Sequence, residues 1–572
     1  MSLNSQYSFY PVQPDNPSDS ERNFLTYNAL KEKGRPEDLS YIMKLMQPPV
    51  DITNYAKPGQ FKGIKVGIIG GGLAGLSSAF ELAKLGFDIT LYEALDDRIG
   101  GRVYTLYFDK SNNLYGELGP MRIPVSHETV WHYINLFGLP TRTFLQVDNN
   151  AFIYMRNIRV RNDPGGIGVM KYIYPKYELY LWERTTSWQK LYFTGTESPL
   201  FMAPPEVRAE ILQVKASYNE KTLFFSGVDN LKMMASMGLS QSAINILSNL
   251  STLLSGNLYN SYIDFIQEGY PADLSYLYEI PGGMARLVDA FYRSLTNVDV
   301  LSRYSKVDAN CLGKFTLKQG CWVDGINFDR SSNKIRLSYE IAKAGVRVNE
   351  AFDYIVCAIP FSSLRNINID PLFSVIKMRA IKEVNYITAQ KTVVLCKERF
   401  WERSGIVGGG SYTDLPVTST WYPSDHLKYI GVSGGAMKLP YNQPGVITGS
   451  YSIGMDATRF SNLPQDRLEE YIKRQLEIVH GLPNGYLNSI VQESKTVNWD
   501  RQPTFRGSLC FFTPGQKELF SCGMAMPEYN ERVFFAGEHI SAVHRWMQGA
   551  LQSGMVAANR LADACKRHKK LL

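Results

Sequence analysis

Three glycines, Gly70, Gly72 and Gly75, form a GxGxxG motif directly after the short apolar segment 65–69. In this pattern the first glycine permits a tight turn, the second lets backbone approach a pyrophosphate, and the third lets a helix pack closely on a strand. The phosphates then lie at the positive N-terminal end of that helix. The motif predicts a dinucleotide site, and its candidate contacts in this turn are Gly70, Gly72, Leu73, Ala74 and Gly75.

A carboxylate, Glu93, ends the next apolar segment, 23 residues after Gly70. A carboxylate at this spacing accepts hydroxyl groups of an adenosine ribose, which favours a dinucleotide without a 2′-phosphate. Ala94, the next residue, is a further candidate contact. The simpler alternative is a structural turn followed by a surface glutamate.

Two arginines stand on glycine-containing turns, where a planar and permanently charged guanidinium can bind phosphates or carboxylates. Arg102 follows two glycines, and Arg122 lies between a Gly-Pro pair and another proline in segment 119–124. A stiff loop suits two-pronged binding of an amino-acid carboxylate by Arg122. The alternatives are an exposed Arg102 and an Arg122 paired with an internal carboxylate. The candidate contacts here are Gly101, Arg102, Gly119, Pro120, Met121 and Arg122.

The C-terminal region repeats the strand-turn-helix order. The apolar segment 533–535 precedes Gly537 and Glu538, and a helical pattern begins near Trp546 and Met547. Backbone N–H groups at such a turn and helix start converge on one point, which suits the negative edge of a reduced flavin. Gly537, Glu538, Trp546 and Met547 are therefore candidate cofactor contacts.

Hydrophobic periodicity indicates the elements that carry these residues. Strand, glycine turn, helix and strand follow one another over residues 65–92, which opens a Rossmann-type sheet. An aromatic and mostly helical stretch follows, and strand patterns return after residue 276. The fold class is therefore α/β (α+β), with a Rossmann-type dinucleotide-binding domain, a discontinuous substrate-binding domain and a helical insertion. The expected segments are an N-terminal extension (1–63), a helical cap and substrate region (125–275), a substrate-binding domain (366–500) and the three parts of the dinucleotide-binding domain (64–124, 276–365 and 501–572), which the resemblance described below assigns to FAD.

Composition narrows the functional classes. The chain has 572 residues and a net charge of +7, but its basic residues are dispersed, unlike those of a nucleic-acid binder. No run of eighteen apolar residues predicts a membrane span. The seven cysteines include no CxxC pair and the histidines no metal-binding spacing, so neither a disulfide framework nor a metal site is expected. A polar N-terminus without a signal-peptide pattern favours a cytoplasmic location.

Together these motifs resemble the flavin amine oxidase family, and the segment LGPMRIP at 118–124 resembles the L-amino-acid oxidases most. The resemblance runs from about Ile64 to Ala562. It implies FAD as cofactor, with Arg102 near the phosphates and Glu538 in the ribityl or phosphate region. The binding is expected to be non-covalent, because Gly507 stands where some relatives carry a linking cysteine and Cys510 comes three residues later.

The same resemblance implies roles for further residues. Arg122 and Tyr451 would hold the substrate α-carboxylate, Lys391 would bind a water near flavin N5, and Trp546 would form an aromatic wall. Leu509 would line the side-chain pocket and the backbone of Val323 would meet the adenine. A homodimer is a further expectation from the family.

One departure concerns Arg545, because the familiar members carry glycine before the wall tryptophan. Its side chain must point away from the flavin or line the substrate pocket, and we treat Arg545 as a candidate substrate contact. Trp421 and Tyr422 lead us to expect large apolar or aromatic substrates.

The expected reaction is oxidative deamination of an L-amino acid to a 2-oxo acid, ammonia and H2O2, with hydride transfer from Cα to flavin N5 and O2 as electron acceptor. An L-amino-acid 2-monooxygenase, which makes an amide and CO2, shares these motifs. A monoamine or polyamine oxidase suits Arg122 less well, and a flavoprotein with a purely structural FAD is the alternative from another class.

Overall fold

The computed structural model describes residues 13–111, 113–429 and 439–570. The first twelve residues of the expected N-terminal extension, and residues 430–438 of the expected substrate-binding domain, lie outside this part. The longer helices are α1 (Asp19–Glu32), α2 (Leu39–Met46), α3 (Leu73–Lys84), α4 (Glu128–Phe137), α5 (Leu181–Arg184), α6 (Trp188–Thr196), α7 (Pro205–Arg208), α8 (Glu220–Gly227), α9 (Asn230–Ser236), α10 (Gln241–Asn249), α11 (Thr252–Ser255), α12 (Tyr262–Phe265), α13 (Ala285–Thr296), α14 (Val298–Ser305), α15 (Phe361–Leu364), α16 (Val375–Glu383), α17 (Met455–Ser461), α18 (Gln465–His480), α19 (Tyr486–Ile490), α20 (Gln516–Ala525) and α21 (Met547–Lys570).

The strands are β1 (Lys65–Ile69), β2 (Asp88–Glu93), β3 (Thr105–Asp109), β4 (Leu114–Glu117), β5 (Ile123–Pro124), β6 (Arg142–Phe144), β7 (Phe152–Met155), β8 (Ile158–Arg161), β9 (Leu277–Glu279), β10 (Phe315–Gln319), β11 (Cys321–Asp329), β12 (Lys334–Ile341), β13 (Val346–Phe352), β14 (Tyr354–Cys357), β15 (Asn368–Asp370), β16 (Tyr386–Ile387), β17 (Ala389–Cys396), β18 (Gly410–Thr413), β19 (Ser419–Trp421), β20 (Gly445–Ile453), β21 (Val491–Asn498), β22 (Leu509–Cys510) and β23 (Val533–Phe535).

A five-stranded parallel sheet carries the glycine motif. Its order is β10-β2-β1-β14-β23, so strands from the start, the middle and the end of the chain lie side by side. Its central strand β1 is almost entirely buried, as expected for a strand covered on both faces. Helices α3 and α21 pack against each other beside it. This is the Rossmann-type arrangement that the sequence predicts, and the prediction of the fold class is confirmed.

A seven-stranded mixed sheet forms the second layer, in the order β21-β17-β20-β19-β18-β7-β8. Its two long strands β17 and β20 are antiparallel, and Lys391 of β17 lies directly opposite Tyr451 of β20. Because directly opposite residues share a face of the sheet, this register brings together two candidate site residues that are far apart in the chain.

The stretch 125–275 is not uniformly helical. Helices α4 to α12 cover less than half of its residues, and β7 and β8 form a hairpin that extends the seven-stranded sheet. Each of these strands has four residues, and the pattern Ile-Arg-Val-Arg of β8 is too short to give a distinct period against the surrounding helices.

The N-terminal extension, from residue 13 on, is fastened to the elements that carry the site. Arg22 in α1 forms an ion pair with Glu128 at the start of α4 (2.8 Å). The side-chain amides of Gln548 and Asn559 in α21 donate to the carbonyl oxygens of Met46 and Val50. The extension therefore supports both α4 and the first turns of α21.

Within the described ranges, no helix is long and apolar enough to cross a membrane. The same ranges contain no group of three or more His, Cys, Asp or Glu side chains that would hold a metal ion.

Candidate functional site

A continuous cavity with a volume of about 230 Å³ runs along the carboxyl ends of β1 and β2. This is where ligands bind in open α/β sheets. Most of the candidate residues line it: Gly70, Gly72, Leu73, Ala74, Glu93, Ala94, Gly101, Arg102, Gly119, Pro120, Val323, Lys391, Tyr451, Leu509, Gly537, Glu538, Arg545, Trp546 and Met547.

The glycine turn has the geometry of a pyrophosphate cradle. Gly70 adopts a φ of +103°, and a Cβ there would lie 2.8 Å from a methyl group of Ile359. A Cβ on Gly75 would overlap the carbonyl oxygen of Gly70, so this glycine packs the helix on the turn beneath the cavity. At Gly72 the nearest atom to an added Cβ is 3.9 Å away. The turn thus leaves open space beside Gly72, at the start of α3.

Glu93 is held in one orientation from two sides. Its carboxylate accepts the backbone N–H groups of Gly71 (3.0 Å) and Leu95 (2.9 Å). Burial raises the pKa of Glu93, although these two N–H groups favour its ionised form. An acceptor fixed at the end of β2 is what a ribose hydroxyl requires.

Arg102 and Glu538 form a buried ion pair across the cavity (2.8 Å). The Glu538 carboxylate also accepts the backbone N–H groups of Cys510 (3.3 Å) and Arg545 (2.9 Å). Burial opposes ionisation of Glu538. The charge of Arg102 and the nearby histidines outweigh burial, so the pKa of Glu538 is lowered. The pair joins the turn that ends at Arg102 to the C-terminal turn at Gly537 and Glu538. Cys510 is fully buried and does not line the cavity.

Lys391 is buried in the cavity wall with no carboxylate in ion-pair contact within the described residues. Its ammonium donates to the carbonyl oxygen of Gly119 (2.6 Å) and lies 4.5 Å from the centre of the Tyr451 ring. Burial lowers the pKa of Lys391 to about 7, Glu117 opposes this shift and Arg122 adds to it. The amine therefore titrates near neutral pH.

The Arg122 guanidinium lies between two indole rings, 5.2 Å from the centre of Trp421 and 5.9 Å from that of Trp546. One of its nitrogens donates to the Gln146 side chain (2.6 Å). No carboxylate of the described residues lies within ion-pair distance of it, so the alternative of an internal ion pair is wrong for this part of the chain. Arg122 is not itself part of the wall described above, but Trp546 is.

Trp546 is clamped by two residues that the sequence did not reveal. Its indole N–H donates to Glu268 (3.1 Å). The His127 ring meets it edge to face, with the ring centres 4.9 Å apart and the planes at 88°. His127 is in turn bonded to Asp273 (3.1 Å), which also accepts the Ser126 hydroxyl. His127 lies five residues after Arg122, and this closeness to a candidate residue is the sequence feature that could have identified it. No such feature marks Glu268.

We expect His127→Ala to lower kcat/KM by roughly 2- to 12-fold, since an edge-to-face pair contributes about 0.5–1.5 kcal/mol. The loss should appear mainly as a higher KM, because the mutation loosens the Trp546 wall. Steady-state kinetics with the preferred substrate check this. His132→Ala, in helix α4 directly after His127, is the matched control. If His127→Phe loses as much as His127→Ala, the Asp273 bond is responsible and not the ring contact.

Arg545 has a backbone conformation that is typical of glycine, and its side chain is held by neighbouring groups. Its φ is +73°, in the left-handed region that favours glycine. The guanidinium faces Asp264 and Glu268 at 3.4 and 3.5 Å, and lies over the Phe511 ring (4.4 Å). Its side chain is only 3% exposed. The expectation of a direct substrate contact through this side chain is therefore not supported, because its charge is already used by two carboxylates.

Four other expectations do not match the cavity. Trp421, Tyr422 and Met121 line a second, smaller cavity instead, and the Tyr422 hydroxyl is bonded to Ser411 and His480. Trp421 contacts Arg122 and belongs to the apolar cluster against which Tyr451 and Leu509 of the main cavity pack. Met121 is packed in an apolar cluster, and Gly75 lies beneath the turn without lining the cavity. Which cavity these side chains reach depends on how distant segments pack, which the local sequence pattern does not show.

Comparison with known proteins agrees with this geometry. The sequence model of the flavin-containing amine oxidoreductases matches residues 73–562. The chain is 29% identical over 550 residues to an L-amino-acid oxidase of Vipera ammodytes ammodytes, covering 94% of this chain and all of that protein. It is 28% identical over 517 residues to an L-amino-acid oxidase of Pseudechis australis, covering 89% and 88%.

Solved structures show the same fold. A putrescine oxidase double mutant superposes with a TM-score of 0.64 at 15% identity, covering 88% of this chain and 99% of its own. The cyclohexylamine oxidase of Brevibacterium oxydans IH-35A gives 0.63 at 17% identity, covering 88% and 100%. The glycine cradle, the fixed Glu93 acceptor and the match over most of the sequence lead to one conclusion: this chain belongs to the flavin-containing amine oxidoreductase family and is an FAD enzyme.

Proposed function

We propose that this enzyme oxidises L-amino acids to 2-oxo acids, ammonia and H2O2. The observation that carries the proposal is the position of the Arg122 guanidinium. It lacks a carboxylate partner among the described residues and lies 5.9 Å from the ring centre of Trp546, which lines the main cavity. A free guanidinium binds a carboxylate through two parallel hydrogen bonds. An amine without a carboxylate would leave this charge unpaired.

Gly70, Gly72, Glu93, Arg102 and Glu538 would hold FAD, which would supply the two-electron oxidation of the substrate and the link to O2. The residues of the chain orient the reactants. Arg122 and Tyr451 would hold the carboxylate, Trp546 would limit the space for Cα, and the low pKa of Lys391 would let its amine exchange a proton near neutral pH. Orientation of this kind can supply much of a barrier reduction.

The substrate preference rests on fewer residues than Trp421 and Tyr422 suggested, because these line the other cavity. Leu509, Tyr451 and Trp546 remain in the wall of the main cavity and are apolar or aromatic. We propose large apolar or aromatic L-amino acids as substrates on that basis.

Anaerobic titration of the yellow protein with each L-amino acid tests the proposal. Rapid bleaching of the flavin band by L- but not D-amino acids is expected. Bleaching by simple amines alone, or by nothing, would overturn it. Under air, H2O2 without CO2 supports the oxidase, and CO2 with an amide product would identify a 2-monooxygenase instead. A homodimer in the cytoplasm remains a prediction, which sedimentation and cell fractionation would check.

A further inference from the structure

We propose that Glu117 is a positioning residue that favours the ammonium form of Lys391 and links this lysine to the second cavity, from which the proton for O2 reduction enters. The inference rests on the proposed function, because it takes O2 as the electron acceptor. A hydride equivalent carries two electrons and one proton, so reduction of O2 to H2O2 needs one further proton from water. The site must admit that proton.

Glu117 ends β4 close to the lysine. Its carboxylate accepts the backbone N–H of Met284 (2.7 Å) and the hydroxyl of Thr105 (2.9 Å). Met284 precedes α13, so the carboxylate also lies at the positive end of that helix. Two residues further along the chain, the Gly119 carbonyl accepts the Lys391 ammonium. Glu117 is thus fixed within the segment that holds the lysine.

Strand β4 packs directly on β17, the strand of Lys391. A Cβ on Gly116 would lie 2.6 Å from Val393, two residues from the lysine. The close approach of the two backbones leaves the charges of Glu117 and Lys391 in one poorly hydrated region, where they interact strongly. Each stabilises the charged form of the other.

The remaining charges around the pair are few. Arg122 faces Lys391 and favours its neutral form. Glu279 faces Glu117, but it is paired with Arg142 (2.7 Å). The hydroxyls of Tyr107 and Tyr115 also lie near Glu117. Burial raises the pKa of Glu117 to about 8, and the Met284 N–H, the Thr105 hydroxyl and the charge of Lys391 oppose this shift.

The second cavity gives Glu117 access to water. It has a volume of about 70 Å³ and is lined by Glu117 together with Glu279, Arg142, Arg399 and Asp425. The last two form an ion pair. Paired charges of this kind favour water over apolar occupants. Lys391 lines the main cavity and not this one, so Glu117 is the titratable group between water on one side and the catalytic lysine on the other.

Glu117→Gln tests the proposal in two assays. In the ligand-free protein, trace acetylation followed by mass spectrometry of the Lys391 peptide reports the protonation of this amine against pH. The variant should show its midpoint at lower pH than the parent, because the anion that favours the ammonium is gone. In the FAD-loaded protein reduced by dithionite, reoxidation by O2 should slow at least about tenfold near pH 8, with the profile displaced in the same direction.

Glu279→Gln is the matched control, since it removes a buried carboxylate from the same cavity but not from beside Lys391. Because Glu279 acts on Lys391 only through Glu117 and Arg142, it should displace both profiles much less than Glu117→Gln does. Equal acetylation midpoints in Glu117→Gln and the parent would overturn the inference, as would equal displacement in both variants. Neither assay uses an amino acid, so failure of the proposed substrates would show in the anaerobic titration and not here. FAD content and melting temperature exclude a folding defect.

Discussion

Replacing Arg122 with alanine is expected to lower kcat/KM for an L-amino acid by roughly 30- to 5,000-fold. Truncating one partner of a buried, hydrogen-bonded charge pair costs about 2–5 kcal/mol, and each 1.36 kcal/mol is about tenfold in rate. The substrate carboxylate would lose its partner, while Trp421 and Trp546 keep their positions in the surrounding packing. Steady-state H2O2 production and the rate of anaerobic flavin reduction measure the loss.

Arg122→Lys is the informative companion. It keeps the charge but offers no planar pair of N–H groups, so we expect an intermediate loss. Gln146→Ala, which removes the neutral partner of Arg122, should cost far less. A normal kcat/KM for Arg122→Ala with an FAD content equal to the parent would contradict the assignment. The assignment would also be contradicted if Arg122→Ala lowered kcat/KM equally for the amino acid and for the corresponding amine without a carboxylate.

Replacing Gly72 with valine is expected to weaken FAD binding, with a Kd at least about 100-fold higher, because the side chain would occupy the pyrophosphate position. The protein should still fold. No protein atom lies closer than 3.9 Å to the added Cβ, so the chain itself has room for a side chain there. That space is where a pyrophosphate would approach the start of α3. The yellow colour should be lost on purification, and calorimetric titration with FAD should show the weakened binding.

Two controls separate the cradle from folding. Gly75→Val should fail to fold, because its Cβ would overlap the Gly70 carbonyl oxygen. Gly227→Ala, on a helix with no atom within 4 Å of the new methyl group, should bind FAD normally. If Gly72→Val retains full FAD affinity, the cofactor does not pass this turn. If it melts like Gly75→Val, the glycine is structural.

Strands β1, β2 and β23 and helix α3 of the FAD-binding sheet could be predicted from the sequence because their signals are local, whereas the edge strand β10 was not predicted. Segment 65–69, the glycine turn and the helix after it follow from hydrophobic periodicity and from backbone angles that only a few neighbouring residues decide. The short hairpin of β7 and β8 was not readable, since its stability comes from the sheet that it joins.

Short stretches of sequence were sufficient to predict the family-specific turns, namely the cradle at Gly70, the acceptor at Glu93 and the stiff loop of Arg122. Which side chains meet depends on the packing of distant segments. This packing placed Lys391 opposite Tyr451, turned Trp421 toward a second cavity, and neutralised Arg545 with two carboxylates. It also brought His127, Glu268 and Glu117 to the site. A turn is fixed by the dihedral preferences of adjacent residues, whereas contacts between distant segments are fixed by packing, burial and the pairing of buried charges.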